Sequence, residues 1–333
     1  MQGQTDQDDQ DEYDGSPAHG SELALDAKSA KPFEDPSAIE DWCAQRDLPV
    51  RVAAPLGDGA LNLHWALEQV EGGAALVFRC RGEGHWITAG FEAEARAMTL
   101  ARQAGVLAPA VVLAGAQALV MTRLEGSAGR EAALATAAES PAFRQDVTSQ
   151  LHMLRAGTTI DPNDSPGEPW LAQVIDAYIA APQGGLELLT QPERARAIAA
   201  AALETGVGRV CLNHGDFRTG NLLVQGGRLS GVLDWEFAGY RPEEADVGWM
   251  LSSPWRYGRP DLDASGLMAR EALLDALGQA PTARLAAWEA LALVRWAVIA
   301  RRQDQRQHVP AGTNADEGAL LDEAEALVAA TWA

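Results

Sequence analysis

The sequence predicts an α+β protein in which a small mixed lobe precedes a larger, mostly helical lobe. Strand-like runs surround one main helical segment as far as residue 126, and Ala-rich segments of helical composition dominate from residue 127 onward. A chain of 333 residues is long enough for one large or two moderate domains, each with a real core. We therefore expect an N-terminal lobe over residues 36–126 and a C-terminal lobe over residues 127–333.

The chain is acidic, with 47 acidic and 26 basic residues and a net charge of −21. Residues 1–35 are rich in Asp, Gln, Gly and Ser and lack an apolar period, so we expect a disordered acidic tail there. A basic surface for nucleic acid is missing from the composition, which argues against that class of partner. The acidity would suit either cationic substrates or solubility alone.

The cysteines indicate a reducing compartment, and the N-terminus does not resemble a secretion signal. Cys43, Cys80 and Cys211 are widely spaced and form no C-x-x-C pair, which argues against a disulfide framework and a zinc site. The acidic N-terminus is the opposite of a signal peptide, and no run reaches the roughly 18 apolar residues of a membrane helix. We therefore expect a cytoplasmic protein without a membrane partner, and the sequence leaves its oligomeric state open.

In the N-terminal lobe, the first predicted element is a helix that Asp35-Pro36-Ser37 could cap. A glycine-containing stretch beginning at Gly57 then separates two strand-like runs. A helix over 91–104 follows, and Gly105 can end it. Further strands are predicted over residues 50–52, 74–79, 111–113 and 118–121, the last two as a hairpin around Gly115.

In the C-terminal lobe, helices are predicted near residues 131–138, 143–156, 170–181, 192–205, 263–278 and 282–304, with a loop at 161–167. The last helix places apolar residues at steps of three and four, which predicts one buried stripe. The stripe consists of Leu285, Trp288, Ala292, Trp296 and Ile299.

A β-hairpin is predicted where these helices are interrupted. The apolar runs 222–224 and 229–233 flank Gln225-Gly226-Gly227-Arg228. Two glycines can supply the positive φ angles that a tight turn needs, so the four residues predict the turn of the hairpin.

Four oxygen-bearing side chains lie at the two ends of this hairpin: Asp216, Asn221, Asp234 and Glu236. Such a set suits Mg²⁺, which prefers a few protein oxygens together with substrate phosphates. A His, an Asp, an Asn five positions later and a further Asp also match the phosphoryl-transfer template. In that template, Asp216 is the general base and Asn221 and Asp234 hold metal. Each residue alone is better explained by a turn or a strand end, but their combination at this spacing favours the site.

The segment His214-Gly215-Asp216-Phe217-Arg218-Thr219-Gly220-Asn221, followed by Leu233-Asp234-Trp235-Glu236, resembles the aminoglycoside phosphotransferase-type kinases. These belong to the protein-kinase-like superfamily, and the resemblance extends from about residue 50 to the C-terminus. It implies a two-lobed protein-kinase-like fold: a small N-lobe with an antiparallel sheet and one main helix, and a larger helical C-lobe. It also implies ATP in the cleft between the lobes, Mg²⁺, and a small-molecule hydroxyl as acceptor.

Carried onto this chain, the resemblance implies that Asp216 is the catalytic Asp and that Asn221 and Asp234 are magnesium ligands. Arg218 falls where related kinases place a basic residue near the transferred phosphate, although a surface arginine is the equal alternative. His214 is expected to support the loop by hydrogen bonding.

In the N-lobe, Gly57, Gly59 and Asn62 resemble the nucleotide loop, with Asn62 in place of the third glycine. A plain β-turn explains the same residues. Arg79 falls where kinases keep an ATP-binding Lys, and Arg81 is the competing choice.

Glu94 resembles the acid that pairs with the basic residue of the N-lobe, with Glu92 as the alternative. Residues 121–124, including Met121 and Arg123, resemble the hinge whose backbone would bond adenine.

Sequences around Trp235, Asp246 and Trp255 resemble a phosphotransferase branch related to the kinase domains fused to some acyl-CoA dehydrogenases. This relation implies a hydroxy acid or its coenzyme A thioester as a possible acceptor. An aminoglycoside kinase and a nucleotide-binding pseudokinase are the alternatives. Asp246 is expected to anchor the C-lobe. Four tryptophans are expected mostly in the core, with pocket lining as the other role: Trp249, Trp255, Trp288 and Trp296.

Overall fold

The computed structural model of the protein describes residues 33, 35–58, 62–82, 90–160, 167–180, 185–305 and 316–330. The predicted tail and the predicted loop at 161–167 lie almost wholly outside these residues. At the end of the tail, however, Phe33 is buried and packs edge-on against Trp42 and Phe78, with ring centroids 6.2 and 5.0 Å away. The expected disorder to residue 35 is therefore wrong at Phe33, because its side chain packs in the same apolar cluster as Trp42 and Phe78.

The N-lobe combines an antiparallel sheet with helices, as predicted. Its elements are α1 (Pro36–Ala44), β1 (Val50–Asp58), β2 (Asn62–Gln69), β3 (Leu76–Arg81), α2 (Phe91–Gln103), β4 (Val111–Ala114) and β5 (Ala118–Thr122). The five strands pair in the order β1-β2-β3-β5-β4. The predicted start of α1 and end of α2 are confirmed. The Asp35 side chain accepts the N–H of Ser37 at 3.0 Å, and Gly105 ends α2 with a φ of +93°.

The C-lobe is mostly helical. Its elements are β6 (Ser127–Ala128), α3 (Arg130–Glu139), α4 (Pro141–Gly157), α5 (Glu168–Ala180), α6 (Pro192–Glu204), β7 (Val210–Asn213), β8 (Leu222–Gln225), β9 (Arg228–Val232), β10 (Gly239–Pro242), α7 (Glu244–Leu251), α8 (Arg270–Leu277), α9 (Ala283–Gln305) and α10 (Glu317–Ala329). The predicted hairpin is confirmed as β8 and β9. Gly226 and Gly227 form its turn with φ angles of +58° and +76°, the conformation that favours glycine.

The predicted helix over 263–278 is wrong in its first half. Ser265 and Gly266 have φ angles of +56° and +70°, which no helix contains, and only α8 is helical. Asp263 instead bends back, and its carboxylate accepts the backbone N–H of Arg270 at 2.6 Å at the start of α8.

Helix α9 is the centre of the C-lobe, with α5, α6, α7 and α10 packed around it. The predicted stripe is buried except for the half-buried Trp296, but residues between its members, such as Leu291 and Val294, are buried too. A single stripe therefore understates the burial. Helices α7 and α10 escaped prediction, and every residue of α7 is buried, so it has no polar face and no amphipathic period. Within the described part of the chain, no helix has the length and apolarity needed to span a bilayer.

Candidate active site

The loop of residues 214–221, called here the Asp216 loop, is held in place by a buried carboxylate on α7. Asp246 accepts the backbone N–H of His214 at 2.6 Å and that of Gly215 at 2.8 Å. The Asn213 side-chain oxygen accepts the N–H of Asp246 at 3.0 Å. Burial raises the pKa of Asp246, and the two N–H donors oppose that shift. The expected anchoring role of Asp246 is confirmed by these contacts.

His214 supports the same loop with both ring nitrogens, as expected. Its Nδ1 accepts the backbone N–H of Asp216 at 3.1 Å, so the proton lies on Nε2, which donates to the carbonyl of Leu233 at 2.8 Å. Complete burial lowers the pKa of His214, which keeps the ring neutral. The neutral imidazole therefore connects the Asp216 loop to the end of β9 just before Asp234.

Gly215 is a position where only glycine fits. Its φ is +81°, and a Cβ there would lie 2.1 Å from the carbonyl oxygen of Phe237. From the other side, Nη1 of Arg295 on α9 donates to the carbonyl of Gly215 at 2.6 Å. The backbone just before Asp216 is thus fixed from two directions.

The carboxylate of Asp216 is oriented by three donors. Trp249 Nε1 donates to Oδ1 at 2.8 Å and Asn221 Nδ2 donates to Oδ2 at 2.7 Å. Arg218 Nε donates to both oxygens, at 3.0 and 3.2 Å. Each oxygen keeps further acceptor capacity, because a carboxylate oxygen has more than one lone-pair direction. Asp216 can therefore still accept a proton from a hydroxyl group.

The hydrogen bonds of Asn221 fix the orientation of its side-chain amide. Nδ2 donates to the backbone carbonyl of Asp216 at 2.8 Å as well as to its carboxylate. The amide oxygen is therefore the atom of Asn221 that could bind a cation.

Arg79 lies at the centre of three carboxylates contributed by both lobes. Its guanidinium donates to Glu94 on α2 at 2.5 Å, to Asp234 at 3.0 Å and to Glu236 at 2.5 Å. Glu236 also accepts Asn62 Nδ2 at 2.6 Å. Of the two arginines considered for this place, Arg79 is buried inside the cleft, whereas Arg81 is exposed with its guanidinium 5.9 Å from the ring of Phe91. Glu92, the alternative to Glu94, is exposed.

This cluster, called here the Arg79 cluster, contains one guanidinium and three carboxyl groups: Arg79, Glu94, Asp234 and Glu236. Burial alone would lower the pKa of Arg79, but the three carboxylates raise it, so the guanidinium stays charged. Burial raises the pKa of Glu94 to about 7 against the attraction of Arg79. Burial and then the charge of Asp234 raise the pKa of Glu236 to about 8. The cluster has three carboxyl groups but only one guanidinium, so its carboxyl groups resist ionisation. A bound divalent cation would stabilise their charged forms.

The oxygen atoms of Asp234 and Asn221 suit a cation that also binds phosphate. Asp234 keeps 39% of its side chain exposed, and its backbone is left-handed, with a φ of +69° that is rare outside glycine. Among the residues that the structure describes, no three His, Cys, Asp or Glu side chains are arranged to hold a metal by themselves. A pair such as Asp234 and Asn221 still fits Mg²⁺, which commonly takes one or two protein ligands and fills the rest of its shell with phosphate and water.

Two adjoining cavities lie in the cleft. The first, of about 360 Å³, contains Arg79, Glu94, Asn221 and Asp234, and it is lined further by Leu56, Val77, Met98, Met121, Arg123, Leu124 and Leu223 among others. Its apolar half lies beside the predicted hinge. There, the N–H groups of Thr122 and Arg123 already donate to the carbonyls of Ala110 and Ala75, both at 2.8 Å. An adenine ring would have to use other backbone groups of the hinge.

The second cavity, of about 160 Å³, contains Asp216 and Arg218. It is lined further by Asn62, His64, Asp234, Glu236, Phe237, Trp249, Trp255, Arg295, Trp296, Ile299 and Gln303. His64 and Asp234 line both cavities. The two cavities therefore meet at these side chains, beside the cluster that would hold a cation.

The three residues of the predicted nucleotide loop do not lie in one described loop. Gly57 lies near the end of β1, Gly59 lies outside the described residues, and Asn62 begins β2 at the second cavity. Three of the four tryptophans line the second cavity and Trp288 packs against Tyr178, with ring centroids 5.3 Å apart. Core packing and lining do not exclude each other, since Trp249 and Trp255 are both buried and both line the cavity.

Two features of the site lie outside the sequence-based predictions: His64, and the contact of Trp249 with Asp216. His64 lies directly opposite Arg79 in the β2–β3 register, so both side chains share one face of the sheet. Pairing the two predicted strands across the turn between them, and following the alternation of side chains back from Arg79, could have indicated His64. Burial and then the charge of Arg79 lower the pKa of His64 to about 4. No local signal could have indicated Trp249, which lies on a different element from Asp216.

Comparisons with known proteins agree with this geometry. The profile of the phosphotransferase enzyme family, APH, matches residues 52–294, whereas a search of curated proteins finds no significant match.

Several solved structures share the fold. A thermostable mutant of aminoglycoside phosphotransferase APH(4)-Ia, in a ternary complex with ADP and hygromycin B, is 17% identical, with a TM-score of 0.59 and coverage of 88% of this chain and 98% of that chain. Ethanolamine kinase from Plasmodium vivax is 12% identical, with a TM-score of 0.55 and coverage of 90% of each chain. Macrolide 2′-phosphotransferase MphH from Brachybacterium faecium is 17% identical, with a TM-score of 0.51 and coverage of 87% and 97%.

These structures confirm the predicted two-lobed protein-kinase-like fold, and at such identities they show the fold alone. None of the three concerns the kinase domains fused to acyl-CoA dehydrogenases, so that finer resemblance stays a prediction. The family profile covers most of the 333 residues, including the Asp216 loop and the Arg79 cluster. The chain therefore belongs to the phosphotransferase enzyme family.

Proposed function

We propose that this protein is an ATP- and Mg²⁺-dependent kinase that transfers the γ-phosphoryl group to a hydroxyl of a small molecule. The observation that carries the proposal is the junction of the two cavities. Asp216 lines the cavity on one side of it, Arg79 lines the cavity on the other, and Asp234 lies at the junction itself. A hydroxyl group beside Asp216 and a phosphate beside Asp234 would face each other, which is the arrangement that phosphoryl transfer requires.

The first cavity is the proposed ATP site. One of the similar structures holds ADP, which supports a nucleotide in this cleft. Arg79 would contact the phosphates, because its charged guanidinium can bind them in a bidentate manner, and Glu94 and Glu236 would fix its position. The adenine ring would lie against the apolar wall near Met121 and Leu223. The parts assigned to Gly57, Gly59, Asn62 and Arg123 in nucleotide binding also remain proposals.

Asp234 and the amide oxygen of Asn221 would hold Mg²⁺, which would neutralise charge on the phosphate oxygens when bound. Asp216 would accept a hydrogen bond from the acceptor hydroxyl and take its proton as the new P–O bond forms. Trp249 and Asn221 prevent the carboxylate from rotating during this step. Arg218 lines the same cavity and would stabilise negative charge on the transferred group.

A nucleotide-binding assay and a turnover assay test the proposal together. With Mg²⁺ present, ATP or ADP at a hundred times its dissociation constant should stabilise the native state by about 2.7 kcal/mol and raise the melting temperature. ADP should then form in the presence of a suitable hydroxyl compound, and Asp216→Asn should reduce that rate by about 10²- to 10⁴-fold. If neither nucleotide raises the melting temperature, the kinase proposal is wrong.

The acceptor panel separates the alternatives. Hydroxy acids and their coenzyme A thioesters should be tested beside aminoglycosides. Turnover with an aminoglycoside would favour an antibiotic kinase, and nucleotide binding without turnover across the panel would favour a pseudokinase.

A cytoplasmic location of the protein stays a prediction.

A further inference from the structure

The apolar part of the second cavity's wall is mainly aromatic, and it stands beside the polar and charged lining residues named above. Trp249, Trp255 and Trp296 line it in succession, with ring centroids 5.1 Å apart for the first pair and 4.7 Å for the second. Phe237 and Ile299 add further apolar surface. A volume of about 160 Å³ is close to that of an apolar cavity that takes up a benzene ring, about 150 Å³. The cavity therefore suits an acceptor with an apolar body about one ring in size.

Aromatic cavities often bind cations, but here an arginine already lies over three of the four lining Phe and Trp rings, those of Phe237, Trp249 and Trp255. The guanidinium carbon of Arg218 lies 4.7 Å from the ring centroid of Trp255. That of Arg295 lies 4.5 Å from the Trp249 centroid and 4.7 Å from the Phe237 centroid. A ligand ammonium group would have to approach these two permanent cations, which repel it inside a partly desolvated site.

The acids that line this cavity are committed to other partners. Among the described residues, they are Asp216, Asp234 and Glu236. Asp216 is paired with Arg218, and both Asp234 and Glu236 are paired with Arg79. An amine therefore finds no unpaired carboxylate among the described lining residues. Arg218 donates to Asp216 through Nε, so its terminal nitrogens could still donate to a ligand carboxylate.

We propose that the acceptor site selects a compact hydroxyl compound with an apolar body and without positive charge, and that it discriminates against amines. This inference rests on the proposed function and narrows its acceptor. It sets the site apart from two similar structures, since aminoglycosides and ethanolamine carry amino groups. Arg218 and Arg295 are the residues responsible for the discrimination.

Three para-substituted benzyl alcohols of similar size test this. They are 4-(hydroxymethyl)benzoate, 1,4-benzenedimethanol and 4-(aminomethyl)benzyl alcohol, which are anionic, neutral and cationic, and the last two have nearly the same shape. Binding is measured without nucleotide by calorimetry and by tryptophan fluorescence, which the lining tryptophans should make sensitive. The anionic and neutral probes should bind, and the cationic probe should bind at least about tenfold more weakly than the neutral one.

Arg218→Gln should reduce this discrimination to less than about threefold, because one of the two guanidinium charges is gone and Asp216 loses its ionic partner. The matched control is Arg228→Gln, an exposed arginine paired with Asp146 on the β8–β9 hairpin, which should retain the full discrimination. The measurement needs neither ATP nor turnover, so failure of the kinase proposal would appear separately as missing nucleotide binding. The inference is overturned if the cationic probe binds as tightly as the neutral one, or if none of the three binds.

Discussion

The carboxylate of Asp246 accepts the backbone N–H of His214 at 2.6 Å, and this contact joins helix α7 to the loop that carries Asp216. The same carboxylate also accepts the next N–H, that of Gly215. One buried side chain therefore fixes two successive peptide groups immediately before the proposed general base. Asp246 therefore contributes to the position of the Asp216 loop and not to the chemistry of the reaction.

We expect Asp246→Asn to lower both stability and turnover. The variant keeps one acceptor but turns an NH₂ group toward a backbone donor, which should reduce the free energy of unfolding by about 3 kcal/mol. The displaced loop should also lower kcat by at least about tenfold. Denaturant unfolding and steady-state kinetics measure the two effects. Asp263→Asn is the control, because Asp263 also accepts a backbone N–H but outside the cleft. Normal turnover in the Asp246 variant would contradict the positioning role.

Trp249→Phe should affect kcat more than binding of ATP. The phenyl ring preserves much of the packing but removes the donor to Asp216 Oδ1, a hydrogen bond to a charged group worth about 1.5 kcal/mol or more. A loss of that size corresponds to about tenfold in kcat, and the KM for ATP should stay unchanged. Trp288→Phe, in the same core cluster but outside both cavities, should lower stability and leave kcat intact. Equal loss of kcat in both variants would refute the assignment.

Arg79→Met should destabilise the protein and weaken Mg-ATP binding. Three carboxyl groups would lose their common cation, and breaking such a buried ion pair costs about 3–5 kcal/mol. Chemical denaturation and nucleotide titration measure the two losses. The control, Arg81→Met on the same strand, changes an exposed side chain and should cost less than about 1 kcal/mol. If the two variants lose equal stability, the ion pairs of Arg79 do not stabilise the native state as expected.

His64 should make the native state sensitive to acid. Its pKa falls from 6.5 to about 4 on folding, mainly through burial, so between these values the unfolded chain binds more protons than the native one. Stability contributed by the neutral ring is complete above about pH 6.5 and is lost as the pH falls toward 4. His64→Gln should therefore lose less melting temperature than the wild type between pH 7 and pH 5. His152→Gln, an exposed control on α4, should retain the wild-type difference. An unchanged difference in the His64 variant would contradict the prediction.

Local signals predicted the elements that depend on local chemistry. The hairpin turn follows from Gly226-Gly227, and the end of α2 follows from Gly105, because glycine alone adopts those φ angles without strain. The spacing around Asp216 predicted that Asp216 and Asn221 lie together, because they are close along the chain, and the two side chains are hydrogen-bonded.

What the sequence could not predict depends on contacts between distant segments. Helix α7 is buried on every side, so its periodicity disappears, and its Trp249 reaches Asp216 only because the C-lobe folds around α9. The place of His64 depends on the register between β2 and β3, which a one-residue slip would reverse.

The meeting of the two cavities at His64 and Asp234 has a consequence for inhibitor design. A single molecule that joins an adenosine polyphosphate to an uncharged aromatic alcohol would occupy both cavities at once. Its second half would bind at a high effective concentration after the first, so its affinity should exceed that of either half by far. Such a conjugate would also report the acceptor preference directly, since only a linked group that the tryptophan walls accept would gain from the connection.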